Sequence, residues 1–377
     1  MNMNNSRGVK IHDTTLRDGE QMPGVVFGFD EKIKFAEKIV QFGVGLIDIM
    51  PVVSESEFRV TRELASLFGG RVSATCRAKK SDVDAALDAG AERVTLFAPL
   101  SDLHITRKLG IDREENLRRA LEMIDYARAH GLTVDFAGED SSRSDFGYLA
   151  GFLKEIQDKV DVFFMSDTVG CLTPESSYSI VSYLKRNFRC QVGIHMHNDF
   201  GMATANTVEG VLAGADYFSG TFTGIGERAG NAPTEEVCAA LRFLHGIDTG
   251  VREGMLREIC GMAQKFSGVS VQRHKPIVGE NAFSHESGIH VDGVLKEPRT
   301  YEFLDPSSVG HERKIYFGKH SGESALRHLL GGMPGESAGA VLKEIKDQCE
   351  RSRISLSADE LLAAIFRARR ERAVVMA

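Results

Sequence analysis

The chain has no uninterrupted run of the ~18 apolar residues that a membrane-spanning helix needs, and Met1 to Lys10 is short and polar, without a hydrophobic signal region. Neither a membrane span nor secretion is expected. Close cysteine pairs are missing as well. Six cysteines lie apart at 76, 171, 190, 238, 260 and 349, without the spacing of a zinc finger or redox motif, which predicts reduced thiols and a cytoplasmic location. Positive charge is not in excess: 46 Lys and Arg against 53 Asp and Glu leave a formal net charge of -7. This gives no electrostatic reason to expect nucleic acid or an anionic membrane as partner, although local basic pockets for a small anion stay open. The dense basic run Arg367, Arg369, Arg370 and Arg372 falls in a terminal helical pattern and reads as a solvated helix end. No segment is of low complexity, and no Gly-x-Gly-x-x-Gly follows the first strand-like run.

What is present is a chain of 377 residues, 42% hydrophobic and 26% charged, ordinary for one large globular domain with an appendage. Between residues 9 and 245 a strand-like run followed by an amphipathic helical pattern recurs eight times. Strands are predicted to start near Val9, Gly45, Arg71, Arg93, Leu132, Val160, Gln191 and Asp216. Helices follow near 30–42, 55–68, 81–89, 113–130, 145–157, 174–187, 203–213 and 233–245, several opening on capping residues: Asp30, Ser81, Asp112, and Thr173 before Pro174. Eight such units favour an α/β fold of the closed (β/α)8 TIM-barrel type over a doubly wound open sheet. The catalytic barrel is expected over 1–260. Residues 261–320 read as an irregular subdomain, and 321–377 as C-terminal helices broken at Gly331, Gly332 and Gly335, with a capping box at Ser357 and Glu360.

In such a barrel the active site gathers at the C-terminal ends of the strands. His195 and His197 close the seventh strand, and alternation puts both imidazoles on one side with Cα atoms roughly 6 to 7 Å apart. They read either as metal ligands or as strand histidines hydrogen-bonded to neighbours. Polar residues follow other strands too: Asp13 to Gln21 after the first, Arg77 after the third, Glu139 and Asp140 after the fifth, Asp167 and Thr168 after the sixth, and Gly224 to Asn231 after the eighth. A carboxylate, naturally Asp18, with two imidazoles suits a divalent ion that also chelates a 2-oxo acid and polarises its carbonyl. Arg17 is placed to neutralise a developing alkoxide, or else forms a rim salt bridge. Thr168 reads as a carboxylate ligand or a turn residue. Glu139 is a candidate acid or base, or the partner of Arg143 in a structural ion pair.

Asp13 to Gln21, His195 to Gly201 and Gly224 to Asn231 resemble the three motifs of the 2-isopropylmalate synthase and homocitrate synthase family, and the resemblance covers nearly the whole chain. It implies a metal-dependent TIM barrel that joins the acetyl group of acetyl-CoA, the co-substrate, to a 2-oxo acid in a Claisen condensation and then hydrolyses the thioester. By that likeness Asp18, His195 and His197 hold the metal, Mg, Mn, Zn or Fe, with Asn231 completing or orienting the shell. Arg17 stabilises the alkoxide, Gln21 and Thr168 hold the 2-oxo acid, and Glu139 with His290, assisted by Tyr301, moves protons. The His290 segment would come from the partner of a homodimer, while His285 reads as structural.

Pro99 to Leu103 and His245 to Gly250 resemble homocitrate synthases of the nitrogen-fixation type, which use 2-oxoglutarate. The lysine-pathway enzymes instead carry Glu in place of Asp18, and an Arg for the distal carboxylate in place of Asp135. That carboxylate would repel a second one unless it faces away or Arg77, Lys79 or Lys80 compensates; Arg77 is the expected substrate contact. Oxaloacetate, a phosphonate such as phosphonopyruvate, and 2-oxoisovalerate stay open as alternative acids. An acyl-CoA lyase or aldolase on the same barrel is a further alternative, against which the loop Gly224 to Asn231 holds no cysteine. A non-catalytic scaffold ranks last, because Asp18, His195 and His197 are all present.

Overall fold

The computed structural model describes residues 8–331 and 338–375. Met1 to Arg7, Gly332 and Gly335 lie outside the described residues, as do the side chains of Arg369, Arg370 and Arg372. The chain divides into two compact units, the first ending at Ser270 and the second beginning at Val271. The expected boundary at 260 falls inside a helix, Leu256–Ser267, whose apolar face (Leu256, Ile259, Cys260, Ala263) is buried and which packs on the first helix of the barrel.

In the first unit eight parallel strands close into a barrel: β1 (Lys10–Asp13), β2 (Leu46–Ile49), β3 (Val72–Arg77), β4 (Arg93–Pro99), β5 (Thr133–Glu139), β6 (Val162–Asp167), β7 (Gln191–Met196) and β8 (Tyr217–Gly220). The registers His12 with Leu46 and Lys10 with Tyr217 close the ring through β1. Strands such as Leu46–Ile49 and Val162–Asp167 are buried at every residue, as parallel strands covered on both faces must be. The barrel floor is filled by Leu46, Val162, Phe164 and Tyr217. Gly193 belongs there because a Cβ at that position would lie 2.3 Å from the Phe164 ring.

The helices are α1 (Phe29–Phe42), α2 (Glu55–Phe68), α3 (Lys80–Asp88), α4 (Arg113–Ala129), α5 (Phe146–Ile156), α6 (Pro174–Asn187), α7 (Ala203–Leu212) and α8 (Thr234–Ala239). The side chains of Asp112 and Thr173 accept the expected backbone bonds, from Glu115 and Ser176. Two caps differ from expectation. Gly28 rather than Asp30 precedes α1, its N–H bonded by the Glu31 side chain, and Asp30 sits inside the first turn where its charge suits the dipole. Lys79 rather than Ser81 precedes α3, because Asp82 in the first turn is drawn to the end of β3. The eighth helical stretch also differs: after Ala239 it continues as a wider π-helical turn, Ala240–Leu244.

The second unit has a small sheet of β9 (Ser284–His285), β10 (Lys314–Phe317) and β11 (Leu356–Ser357), with β10 central. Phe317 packs with Leu326, Leu330, Ile345, Leu361 and Ile365 from the surrounding helices. Gly331 ends the helix Glu323–Leu330 at a φ of 56°, the left-handed conformation that favours glycine. Ser357 and Glu360 form the expected capping box before the helix Ala358–Val375. Among the described residues no helix is long and apolar enough to cross a membrane.

Candidate active site

The loop after β1 turns back over the barrel mouth and carries Arg17 and Asp18, which are fixed from below and from the side. Arg17 Nε donates to Asp48 Oδ2 on β2 at 2.7 Å, and its Nη1 donates to Asp18 Oδ2 at 2.8 Å. Asn231 Nδ2 donates to the other Asp18 oxygen at 2.7 Å. Asn231 is itself placed by pairing across from His197 and by the backbone bond from Asn198 to Gly230. The glycines of that loop are needed at two points. A Cβ on Gly226, whose φ is 153°, would lie 2.1 Å from Asn231 Nδ2 and 2.9 Å from Asp18 Oδ1; one on Gly230 would lie 1.9 Å from the Gly224 carbonyl.

His195 at the end of β7 and His197 just beyond it point their Nε2 atoms at each other across 3.1 Å, and both face Asp18 Oδ2, at 3.7 and 4.0 Å. One donor atom from each of the three residues falls within a sphere of contacts no wider than 4.8 Å, and all three are buried. Burial lowers the proton affinity of both imidazoles, with His197 adding to the effect on His195. For Asp18, burial alone would raise the carboxyl pKa. Arg17, the two imidazoles and the Asn231 hydrogen bond outweigh it and hold the group well below the usual carboxylate range. Two neutral imidazoles and an ionised carboxylate converging on one point are the protonation states that a divalent ion requires. Asn231 Oδ1 and His197 Nδ1 are both buried and without a hydrogen-bond partner; the first is available to a bound ion or its water, and the second to a group that would orient the imidazole. The residues present therefore fit a hard or borderline divalent ion.

The cavity over this cluster has a volume of about 340 Å³ and is lined by Arg17, Asp18, Gln21, Glu139, Thr168, His195 and His197 among the expected residues. Thr168 Oγ1 accepts the Asp140 N–H at 2.8 Å. Glu139 meets Lys108 Nζ at 2.6 Å and His104 Nδ1 at 3.6 Å. Arg143 instead pairs with Asp140. Lys108 and His104 escaped the sequence reading; their i, i+4 spacing just after a strand end was the available signal.

Arg77 is not brought into the cavity. Its guanidinium is bidentate to Asp82, five residues on at the start of α3, a local partner that draws it outward. Lys80 likewise turns to Asp84 at 2.8 Å. The compensation expected from these residues for Asp135 comes instead from Arg93, whose Nη1 lies 2.8 Å from both Asp135 oxygens. Burial pushes the Asp135 carboxyl up to about 6 even so.

In the second unit His290, on the helix Gly288–Lys296, packs against Tyr301 with ring centroids 4.2 Å apart and the ring planes tilted by 47°. Both rings are solvent-exposed. His285 bonds Glu302 at 3.1 Å, which also holds Arg313, so it is tied into a structural ion-pair group.

Residues 8–262 match the HMGL-like family, and residues 277–353 match the homocitrate synthase post-HMGL domain-like family. Over 370 residues the chain is 42% identical to a 2-isopropylmalate synthase of Sulfolobus acidocaldarius, covering 96% of each chain. It is 43% identical to a homocitrate synthase of Methanothermobacter thermautotrophicus, covering 85% of this chain and 83% of the other. A putative (R)-citramalate synthase of Archaeoglobus fulgidus is 41% identical, over 89% of this chain and 70% of its own length. Among solved structures, the HMG-CoA lyase of Bacillus subtilis superposes with a TM-score of 0.63 at 20% identity, covering 70% of this chain and 95% of that one, a likeness of fold. With the barrel, the three motifs in their expected places and these relatives, the chain belongs to the homocitrate synthase and 2-isopropylmalate synthase family of HMGL-like proteins.

Proposed function

We propose that this protein condenses the acetyl group of acetyl-CoA with a 2-oxo acid and then hydrolyses the thioester, releasing CoA. The observation that carries the reading is the convergence of Asp18, His195 and His197 at the cavity floor, with Arg17 hydrogen-bonded to the same carboxylate. The three residues, with Asn231 beside them, would hold a divalent ion of the Mg, Mn, Zn or Fe class. When bound, such an ion supplies Lewis acidity to the keto oxygen of the acid.

The chain's own residues supply the rest. Gln21 and Thr168 line the cavity where the carboxylate of the acid is to be oriented. Glu139 accepts a proton from the acetyl methyl, the resulting carbanion carbon bonds to the keto carbon, and Arg17 faces the alkoxide that forms. That oxygen takes up a proton. Water then adds to the thioester carbonyl, and CoA leaves as its thiol. Family resemblance gives His290 and Tyr301 a part in these proton transfers from the partner subunit of a homodimer. The tilted contact of the two rings, centroids 4.2 Å apart, is compatible with one acting on the other. Condensation with 2-oxoglutarate to homocitrate, expected from Pro99 to Leu103 and His245 to Gly250, needs a cation for the distal carboxylate, as do oxaloacetate and phosphonopyruvate. The lyase alternative finds no cysteine in the loop Gly224 to Asn231.

The test is CoA thiol release from acetyl-CoA with and without a 2-oxo acid, after treatment with chelator and after addition of each divalent ion. Release that needs the acid, disappears with chelator and returns with one ion is the expected result. Release indifferent to the acid, or no release with any acid, refutes the reading.

A further inference from the structure

Opposite the metal cluster, the cavity wall is built by β2 to β5 and ends in Met50, Thr75, Thr95, Phe97 and Ala137. None of these side chains is charged, and their hydroxyls are already engaged. Thr75 Oγ1 donates to Asp48 Oδ1, and Thr95 Oγ1 is 2.7 Å from Ser73 Oγ. Among the described residues that line the cavity, the cations are Arg17, Lys108 and Arg228, and each already faces a carboxylate. Arg17 spans Asp48 and Asp18, and Lys108 holds Glu139 at 2.6 Å. Arg228 is bidentate to Asp199, at 2.7 and 3.0 Å, and also donates to the Thr168 carbonyl. Beneath the wall, Arg93 is consumed by the buried Asp135.

A second anionic group on the acid would leave water for a wall that offers it apolar surface and committed hydroxyls, a costly transfer for an unpaired charge. A short alkyl group loses nothing there and gains from leaving water.

We infer that the acid accepted by this protein carries a single carboxylate and a small alkyl side chain, and that Met50, Thr75, Thr95, Phe97 and Ala137 are the residues that select it. This rests on the condensation reading above. It departs from the expectation of 2-oxoglutarate.

The experiment compares kcat/KM for pyruvate, 2-oxobutyrate, 2-oxoisovalerate and 4-methyl-2-oxopentanoate with that for oxaloacetate, 2-oxoglutarate and phosphonopyruvate, following CoA release with saturating acetyl-CoA and metal. The best alkyl acid is expected to exceed the best doubly anionic acid by about 100-fold or more, the discrimination that an unpaired buried polar group imposes. In Phe97→Ala, whose side chain is half-buried, the ratio of 4-methyl-2-oxopentanoate to pyruvate is expected to rise about 10-fold as the wall recedes. A doubly anionic acid turned over best, with release still chelator-sensitive, overturns the inference and leaves the condensation standing. An unchanged ratio in Phe97→Ala overturns the assignment of the wall. No release with any acid overturns the condensation itself.

Discussion

Lys32 is fully buried, and its ammonium holds the loop that carries Asp18, the carboxylate of the candidate metal site. Nζ donates to Glu57 Oε1 on α2 at 2.6 Å and to Glu20 Oε2, and reaches the Leu16 carbonyl at 3.4 Å. Glu20 also accepts the Phe27 N–H, so both ends of the segment around Arg17 and Asp18 are tied through one cation. Lys32→Met keeps the volume and removes the charge, leaving two carboxylates facing each other. Removing one partner of a buried ion pair costs ~3–5 kcal/mol. Because Glu20 and Glu57 retain 20% and 12% side-chain exposure, we expect the low end, about 3 kcal/mol.

The loss depends on pH in a definite direction. Burial already raises the Glu57 carboxyl, with Lys32 opposing the rise, so without Lys32 the folded-state value moves further up. A carboxyl raised in the folded state destabilises once it is ionised, so the deficit is full at pH 7 and shrinks as pH falls through the carboxylate range. The assay is urea unfolding of chelator-treated wild type and Lys32→Met at pH 7 and pH 5, followed by metal titration calorimetry at pH 7. Weaker metal binding by about 10- to 100-fold is expected, as for loss of an outer-shell support. A destabilisation under about 1 kcal/mol, or one larger at pH 5 than at pH 7, refutes the reasoning.

Three further outcomes are expected. Gly226→Ala drives a methyl group into Asn231 and Asp18, so metal affinity should fall about 10- to 100-fold while far-UV circular dichroism is retained; unchanged affinity in calorimetry would show that Asn231 does not orient Asp18. Lys108→Met removes the cation from Glu139 and should lower kcat by about 100-fold, the low end of a general acid–base contribution, with the KM for the 2-oxo acid little changed; steady-state kinetics in which KM alone rises would make Lys108 a substrate ligand instead. Burial pushes the Asp13 carboxyl up to about 7 against hydrogen bonds from Thr15, so its contribution to stability is present at low pH and is lost as pH rises from about 4 to 7. Denaturant unfolding across that range should show a slope difference of up to about 1.4 kcal/mol per pH unit between wild type and Asp13→Asn, and parallel curves would disprove it.

The alternation of strands and helices was legible because it is written locally. Parallel strands buried on both faces read as short apolar runs, and Asp112 and Thr173 announce helices through bonds that span three residues. The cap of α3 misled for an equally local reason: Ser81 is a good capping residue, but Asp82 bonds the Arg77 N–H and side chain and starts the helix earlier. That same pair explains why Arg77 does not reach the cavity.

By itself, then, the sequence determined the barrel and the candidate metal-ligating cluster. Asp18, His195 and His197 sit in contiguous motifs at strand ends, and the closed ring brings all strand ends to one mouth. Only the tertiary structure decided which charges remain free inside that mouth. The pairs Arg17 with Asp48, Arg93 with Asp135 and Lys108 with Glu139 each join residues more than thirty positions apart. Barrel closure, not local pattern, sets those distances, and a carboxylate takes whichever cation the packed interior leaves within reach.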